Sequence, residues 1–369
     1  MKIGILTYHD TFNAGAFLQT YATYKYLLDQ GYEVEVIDYC PMSGFIKERK
    51  TKIKTKQPLL GLKSLLTKRS FLNKHLALSK QRVISNDFDK SKGILEGYDA
   101  VLVGADTVFE VKQQNVAFAP QIPNIYYFPE SLKCRKVAFA ASADASDFSL
   151  LNPSQKDYIT SSLNDFHALS IRDTFTLSEL ESIAPNDFKL VFDPTFMIDF
   201  PSTGIDKKLN IEGDFAVLNI PNQQLSKLFS DVFRSRGWKV VSPTRNKYAD
   251  INLNGRVNPF EWAELYKYAK FTATDRFHGT IFSLKGGCPV VSVDSLSLYE
   301  NQLSKKADML QRMNLEHLLL DFKKASNTST VELNIIIDQI IDNWDYEEIS
   351  TQLNYAGTIS KDFLSEALS

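Results

Sequence analysis

The amino terminus reads strand, turn, helix, strand within the first forty residues. Lys2 to Thr7 is a short apolar run, and His9-Asp10-Thr11-Phe12-Asn13-Ala14-Gly15 is a polar turn. Phe17, Leu18, Tyr21, Tyr24, Leu27 and Leu28 then recur at helical spacing, and Gly31 stands where a helix C-cap favours glycine. Glu33 to Asp38 (EVEVID) is the next strand. A strand–helix–strand unit closes with a right-handed crossover, which makes its two strands parallel. This start points to an α/β fold with helices on the faces of a parallel sheet.

The alternation continues. Asp99 to Gly104, Lys136 to Ala141, Ala168 to Arg172 and Lys189 to Phe192 read as buried-type strands, the last running into the turn Asp193-Pro194-Thr195. Phe200 to Gly213, with Pro201, Ser202, Gly204 and mixed charge, reads as a linker. Beyond it, strands at Phe215 to Ile220, Lys239 to Ser242, Phe271 to Thr274 and Pro289 to Val293 alternate with helices at Gln223 to Arg236, Pro259 to Lys270 and Phe277 to Lys285. The length, 369 residues, exceeds what one core holds. The pattern predicts two doubly wound, Rossmann-like domains facing a cleft. They are expected at 1–200, with a basic helical insertion at about 41–97, and at 201–330, with a helical tail over 331–369.

The formal net charge of −2 gives the whole molecule no electrostatic case for nucleic acid. Three cysteines without C-x-x-C spacing argue against a disulfide framework or a structural zinc cluster. No run reaches the ~20 apolar residues of a membrane span, and the apolar start is too short for a signal peptide. A cytoplasmic protein is expected. One segment departs from this balance. Lys47 to Lys80 carries eleven Lys or Arg against the single acid Glu48, a local charge of +10, with Leu59, Leu62, Leu65, Leu66, Leu72 and Leu76 in helical spacing. It reads as a solvated helical insertion packing its leucines on the domain, or as a surface for anionic head groups or an acidic, lipid-linked acceptor. Peripheral contact with the inner face of the membrane follows from the second reading. Nucleic acid has the least support, since no aromatic-interleaved basic motif accompanies the charge.

Ligands of open parallel sheets bind at the carboxyl ends of strands, which singles out four places. Thr274-Asp275-Arg276-Phe277-His278-Gly279-Thr280 follows a strand and opens a helix, combining a guanidinium, an imidazole and helix amides into an anion site. Its bland reading pairs Arg276 with Asp275 or Asp193 and leaves His278 as a satisfied interface histidine. Leu169-Ser170-Ile171-Arg172-Asp173 ends a strand in a cation that either reaches a ligand or pairs with Asp173 or Asp193. Val103-Gly104-Ala105-Asp106-Thr107 offers Asp106 to a sugar hydroxyl, or simply as a helix cap. Asn13 opens the first helix as a cap, with ligand binding by the exposed amides as the rival reading. The glycine fingerprints of dinucleotide and mononucleotide sites are absent. A metal site from Asp275 and His278 lacks further clustered ligands, and no G-x-S-x-G elbow or Cys–His pairing occurs, so no metal is expected.

In order, KIGILTYHDTFNAGAFLQTYA, DAVLVGADTVF, SIRD, VFDPTF and TDRFHGTIFSLKGGCPVVSVD resemble the polysaccharide pyruvyl transferase family from about Lys2 to about Asp294. The last element is the most specific. The resemblance implies a GT-B-like fold, a donor-binding second domain, and transfer of pyruvate from phosphoenolpyruvate onto two hydroxyls of a sugar to give a cyclic ketal. The acceptor it implies is a surface polysaccharide or its lipid-linked precursor. Arg276 and His278 match the family's R-x-H element and are the implied donor-binding and catalytic pair. Arg172 is the implied second donor cation, and Asp106, Asn13 and Asp275 are the acceptor or cleft candidates. No cofactor is implied, since phosphoenolpyruvate is a co-substrate. A nucleotide-sugar glycosyltransferase on the same kind of fold is the competing expectation.

Overall fold

β1 (Lys2–Leu6) is the hub of the first sheet in this computed structural model, which describes residues 1–53, 58–111, 121–144, 146–294 and 303–369. The chain leaves β1 through α1 (Ala14–Asp29) and returns to β2 (Glu33–Val36) at its side. A short pair, β3 (Tyr39–Cys40) and β4 (Val83–Ile84), brackets the basic segment, which folds as α2 (Met42–Ile53) and α3 (Pro58–His75). After α4 (Phe88–Ser91) the chain crosses back over β1 to β5 (Ala100–Val103). β6 (Arg135–Ala141), α5 (Pro153–Asn164), β7 (Ala168–Ile171), α6 (Thr174–Glu181) and β8 (Phe188–Leu190) complete the sheet. Its order is β2-β1-β5-β6-β7-β8, with every pairing parallel. Ile3, Ile5, Leu6 and all of β5 are buried, as a sheet covered on both faces requires.

The second sheet repeats the plan. The segment expected as a linker holds a short helix, α7 (Ile205–Leu209). Then come β9 (Phe215–Asn219), α8 (Gln223–Ser235), β10 (Lys239–Ser242), β11 (Ile251–Asn252), α9 (Pro259–Glu264) and β12 (Phe271–Thr274). α10 (Phe277–Lys285), β13 (Val290–Asp294), α11 (Lys305–Arg312), β14 (Leu319–Asp321), α12 (Phe322–Asn327) and α13 (Thr330–Asp342) follow. The order is β11-β10-β9-β12-β13-β14, again all parallel. α9 is shorter than its sequence pattern, because the chain tightens into a 3₁₀ turn over Leu265–Tyr268 before β12.

The chain divides into two compact units, Met1–Ile198 with Gly357–Ser369, and Asp199–Ala356. The stretch expected as a separate tail is therefore shared. α13 belongs to the second unit, and α14 (Tyr346–Leu368) starts there and finishes in the first. Its end is held in the first unit by burial of Phe363, Leu364 and Leu368 and by Ser360, whose Oγ accepts from Phe192 N and donates to Phe192 O, both at 3.1 Å. In each sheet the strand order reverses once, between β1 and β5 and between β9 and β12. Diverging connections open a crevice at such a point, so the carboxyl ends of these four strands are where binding groups are to be sought.

Candidate active site

In the second unit the crevice lies beyond Asn219, at the end of β9, and Thr274, at the end of β12, which are register partners. Thr274 Oγ1 accepts from Arg276 N at 3.0 Å and turns the chain out of the strand. Gly279 lets the new helix press on that turn: a Cβ there would stand 2.5 Å from Thr274 Oγ1. Thr280 and Ser292, hydroxyl to hydroxyl at 2.8 Å, fasten α10 to β13. The helix mouth is thus fixed by packing. Its N-cap position is Arg276, which makes no side-chain cap bond. The positive end of the helix dipole there favours an anion.

Three charged groups surround this mouth. The Arg276 side chain is 55% exposed, with its Nε 3.2 Å from Asp275 Oδ1. Asp275 is mostly buried. Burial pushes its carboxyl above the usual range, and Arg276 and Lys306 pull against that rise. Lys306, in the first turn of α11, is 6% exposed. Its ammonium donates to the carbonyl of Asp275 at 2.8 Å and to that of Val293, bridging the ends of β12 and β13. Burial pushes this lysine down to about 8, Asp294 and Asp275 oppose the shift, and Arg276 is near enough to reinforce it. His278 follows one turn-residue later, its ring edge-on to Phe277 at 5.3 Å. The structure therefore gathers Asp275, Arg276 and His278 with a cation that sequence reasoning missed. Lys306 lies in an unremarkable Ser-Lys-Lys start to a helix, a place where a lysine ordinarily faces water, and only the packing reveals it.

In the first unit the equivalent edge carries Asp106, Asn13 and Arg172. Gly104, at φ +125°, is required there, because a Cβ would fall 2.0 Å from the carbonyl oxygen of Phe139. Asp106 follows at φ 78°, and its Oδ1 accepts from Thr107 N at 2.9 Å. Asn13 caps α1, accepting from Gly15 N at 3.0 Å. Arg172 is buried. Its Nη1 donates to Asp193 Oδ2 at 2.8 Å and to Gln19 Oε1 at 3.0 Å, while Asp193 Oδ1 accepts from Thr195 N and Oγ1. Burial works against the Arg172 charge, but Asp193, Asp106 and Asp173 together hold it more firmly than in water. The internal ion pair weighed for Arg172 is thus present. Asp173 spends its Oδ1 capping α6, accepting from Thr176 N at 2.9 Å.

A second network on this edge had no warning in the sequence beyond its strand-end position. His9 Nε2 lies 3.3 Å from Asp38 Oδ1, and Asp38 also accepts from Arg69 Nη1 at 3.1 Å. Burial would raise the Asp38 carboxyl, yet bonds from His9 and Arg69 hold it well below the usual range. Asp10 meets Lys68 at 2.8 Å and Arg82 at 2.5 Å. Through Lys68 and Arg69 these pairs moor α3 to the segments that follow β1 and β2. Among the described residues no cluster of His, Cys, Asp or Glu is arranged to hold a metal ion, and no helix is long and apolar enough to cross a membrane.

The fold has distant relatives of known structure. A UDP-GlcNAc 2-epimerase from Methanocaldococcus jannaschii superposes with a TM-score of 0.58 at 11% identity, covering 100% of both chains. A glycosyltransferase from Rickettsia africae gives 0.55 at 10% identity, over 100% of this chain and 96% of the other. The S. aureus protein MnaA, solved with UDP, gives 0.53 at 12% identity, over 98% and 94%. At such identities the likeness establishes a GT-B-like fold and nothing of the chemistry. No curated protein matches the sequence. The family model for polysaccharide pyruvyl transferases, however, matches residues 13–297, a span that contains Asp106, Arg172, Arg276 and His278, and the chain belongs to the polysaccharide pyruvyl transferase family.

Proposed function

We propose that this protein transfers pyruvate from phosphoenolpyruvate to two hydroxyls of one sugar in a surface polysaccharide or its lipid-linked precursor, forming a cyclic ketal. The observation that carries the reading is the mouth of α10, whose N-cap residue Arg276 makes no side-chain cap bond and is half exposed, with His278 half-buried beside it and the buried ammonium of Lys306 behind it. Phosphoenolpyruvate carries a carboxylate and a phosphate ester on the same carbon, so its site needs at least two cationic or amide partners. Arg276 takes one anion in a charge-assisted fork, and the helix amides take the other. Lys306 supplies positive charge from below and holds the ends of β12 and β13 in place, and Asp275 orients Arg276.

His278 acts as the acid. It protonates the methylene carbon, the adjacent carbon becomes electrophilic, and a sugar hydroxyl adds there, releasing its proton. Phosphate then leaves with the electrons of its C–O bond, and the second hydroxyl closes the ring with loss of its own proton. The products are a ketal and inorganic phosphate, and the sequence of steps uses no redox cofactor or metal. Imidazole suits the first step because its pKa lies near neutral pH. Asp106 and Asn13 are proposed to orient acceptor hydroxyls. Arg172, buried against Asp193, is proposed to act as a positioning cation behind Asp106 rather than as a ligand to the donor.

The test is incubation with phosphoenolpyruvate and a panel of saccharides, following phosphate release and a new quaternary ketal carbon by NMR. The structural likeness to a UDP-GlcNAc 2-epimerase, a UDP-bound protein and a glycosyltransferase favours one rival, a nucleotide-sugar glycosyltransferase. Protection against thermal unfolding by a nucleoside diphosphate, with none by phosphoenolpyruvate, would decide for the rival.

A further inference from the structure

We infer that the α2–α3 hairpin is a docking surface for an anionic lipid bilayer. α3 carries two apolar stripes. Leu65 and Leu72, with Leu76 just past the helix end, are buried in the first unit. Leu59, Leu62 and Leu66 follow at i, i+3 and i+7 on the adjoining flank, and they are 82%, 49% and 65% exposed. α2 repeats the pattern with exposed Met42, Ile46 and Ile53 at i, i+4 and i+11. A helix lying on a soluble domain ordinarily buries one apolar stripe and keeps a polar outer face. Here the flank beside the buried stripe is apolar and exposed as well, so packing within the unit leaves it unexplained. The leucines expected to pack on the domain are in fact divided between a buried stripe and an exposed flank. Residues 54–57, which fall within the same basic segment, lie outside the described residues.

The charges identify what covers the outer stripe. Glu48, the single acid between residues 47 and 80, is turned inward, where its Oε2 accepts from Lys68 Nζ at 2.9 Å and its Oε1 from Phe12 N at 2.9 Å. Lys68 and Arg69 are likewise spent on Asp10 and Asp38. Lys50, Lys63 and Lys74 remain exposed. Among the described residues the outer surface of the hairpin therefore joins aliphatic side chains to lysines, with no carboxylate. Single-stranded nucleic acid would call for aromatic stacking and leave the leucines in water. Aliphatic groups beside ammonium groups match a bilayer surface, where leucines enter the acyl boundary and lysines meet lipid phosphates. The inner ion pairs to Asp10 and Asp38 seat the hairpin on the segments that follow β1 and β2, so docking orients the whole first unit.

The test is co-sedimentation of the full chain with vesicles of phosphatidylcholine alone or with about one third phosphatidylglycerol, at low salt and at roughly 0.5 M salt, where screening shortens to a few ångströms. Expected is binding to the anionic vesicles at least about tenfold tighter than to neutral ones, weakened by salt. Leu59→Ser/Leu62→Ser/Leu66→Ser should lower the partition by more than about tenfold. Lys50→Ala, Lys63→Ala and Lys74→Ala should each lower it by up to about fivefold. Because all these side chains are exposed, thermal unfolding of the variants should match the parent, which separates lost docking from lost folding. Absent binding, or equal binding to neutral vesicles, overturns the inference. So does a self-associating chain whose assembly the triple leucine variant abolishes without any vesicle binding, since the stripe would then belong to a second copy.

Discussion

Two arginines in this molecule leave a parallel strand and lead into a helix, and they finish in opposite environments. Arg172 follows β7, and its side chain is 5% exposed against a fully buried Asp193. Arg276 follows β12, and its side chain is 55% exposed. The next residues explain the difference. Asp173 caps α6 and closes its amino end, whereas Arg276 itself occupies the cap of α10 and has no acceptor to offer. The first edge is internally neutralised, with Asp10, Asp38 and Asp193 all committed to cations of the same unit. The second keeps a half-exposed arginine and a lysine that burial pushes down to about 8. An anion is expected to gain more at the second edge, because Asp275 there pairs with a half-exposed guanidinium and not with a buried one.

Each half of this contrast can be broken. The largest effect is expected from His278→Ala, which should lower ketal formation by ~10²–10⁴ while leaving the unfolding temperature intact. Near-normal turnover in that variant would remove His278 from the chemistry. Arg172→Ala should cost about 3–5 kcal/mol in denaturant unfolding, because it leaves Asp193 buried without its counter-charge. An unchanged midpoint would mean that the first edge is not sealed in the way described.

The pH dependence sharpens the second edge. Lys306 is charged below about 8 and neutral above it, so phosphoenolpyruvate affinity should fall as pH rises through that value. Stability should move the other way. The unfolded lysine keeps its proton to about 10.4, so between these two values the unfolded chain binds more protons and the folded state gains as pH rises. Opposite slopes for affinity and stability, both flattened by Lys306→Met, are the expected signature, and parallel slopes would detach Lys306 from the donor site. The smallest effect is Asn13→Ala, about 1 kcal/mol from the lost cap. Turnover that drops much further than stability would make Asn13 a contact of the acceptor.

Much of the architecture was legible because parallel strands buried on both faces leave unbroken apolar runs. Lys239 to Ser242 and Phe271 to Thr274 emerge with those bounds, and Phe277 to Lys285 likewise. What escaped was decided by tertiary packing. The stretch between Lys47 and Lys80 folds as two helices where one was anticipated, and its leucines divide between a buried stripe and an exposed flank because α3 is moored through Lys68 and Arg69 rather than by its apolar side chains alone. The R-x-H element was visible since its residue types are rare together at a strand end. Lys306 was not, because its role comes from two carbonyls contributed by distant strands. His9 and Asp38 stand at consecutive strand ends, so attention to that position would have found them.

The most direct test of the donor site is calorimetric titration of phosphoenolpyruvate into the parent protein and into Arg276→Ala. Loss of one charge-assisted pair, worth about 1.5–3 kcal/mol, should weaken binding by about ten- to a hundredfold without altering the fold. Equal affinity in the two proteins would put the donor somewhere other than the mouth of α10 and contradict the account.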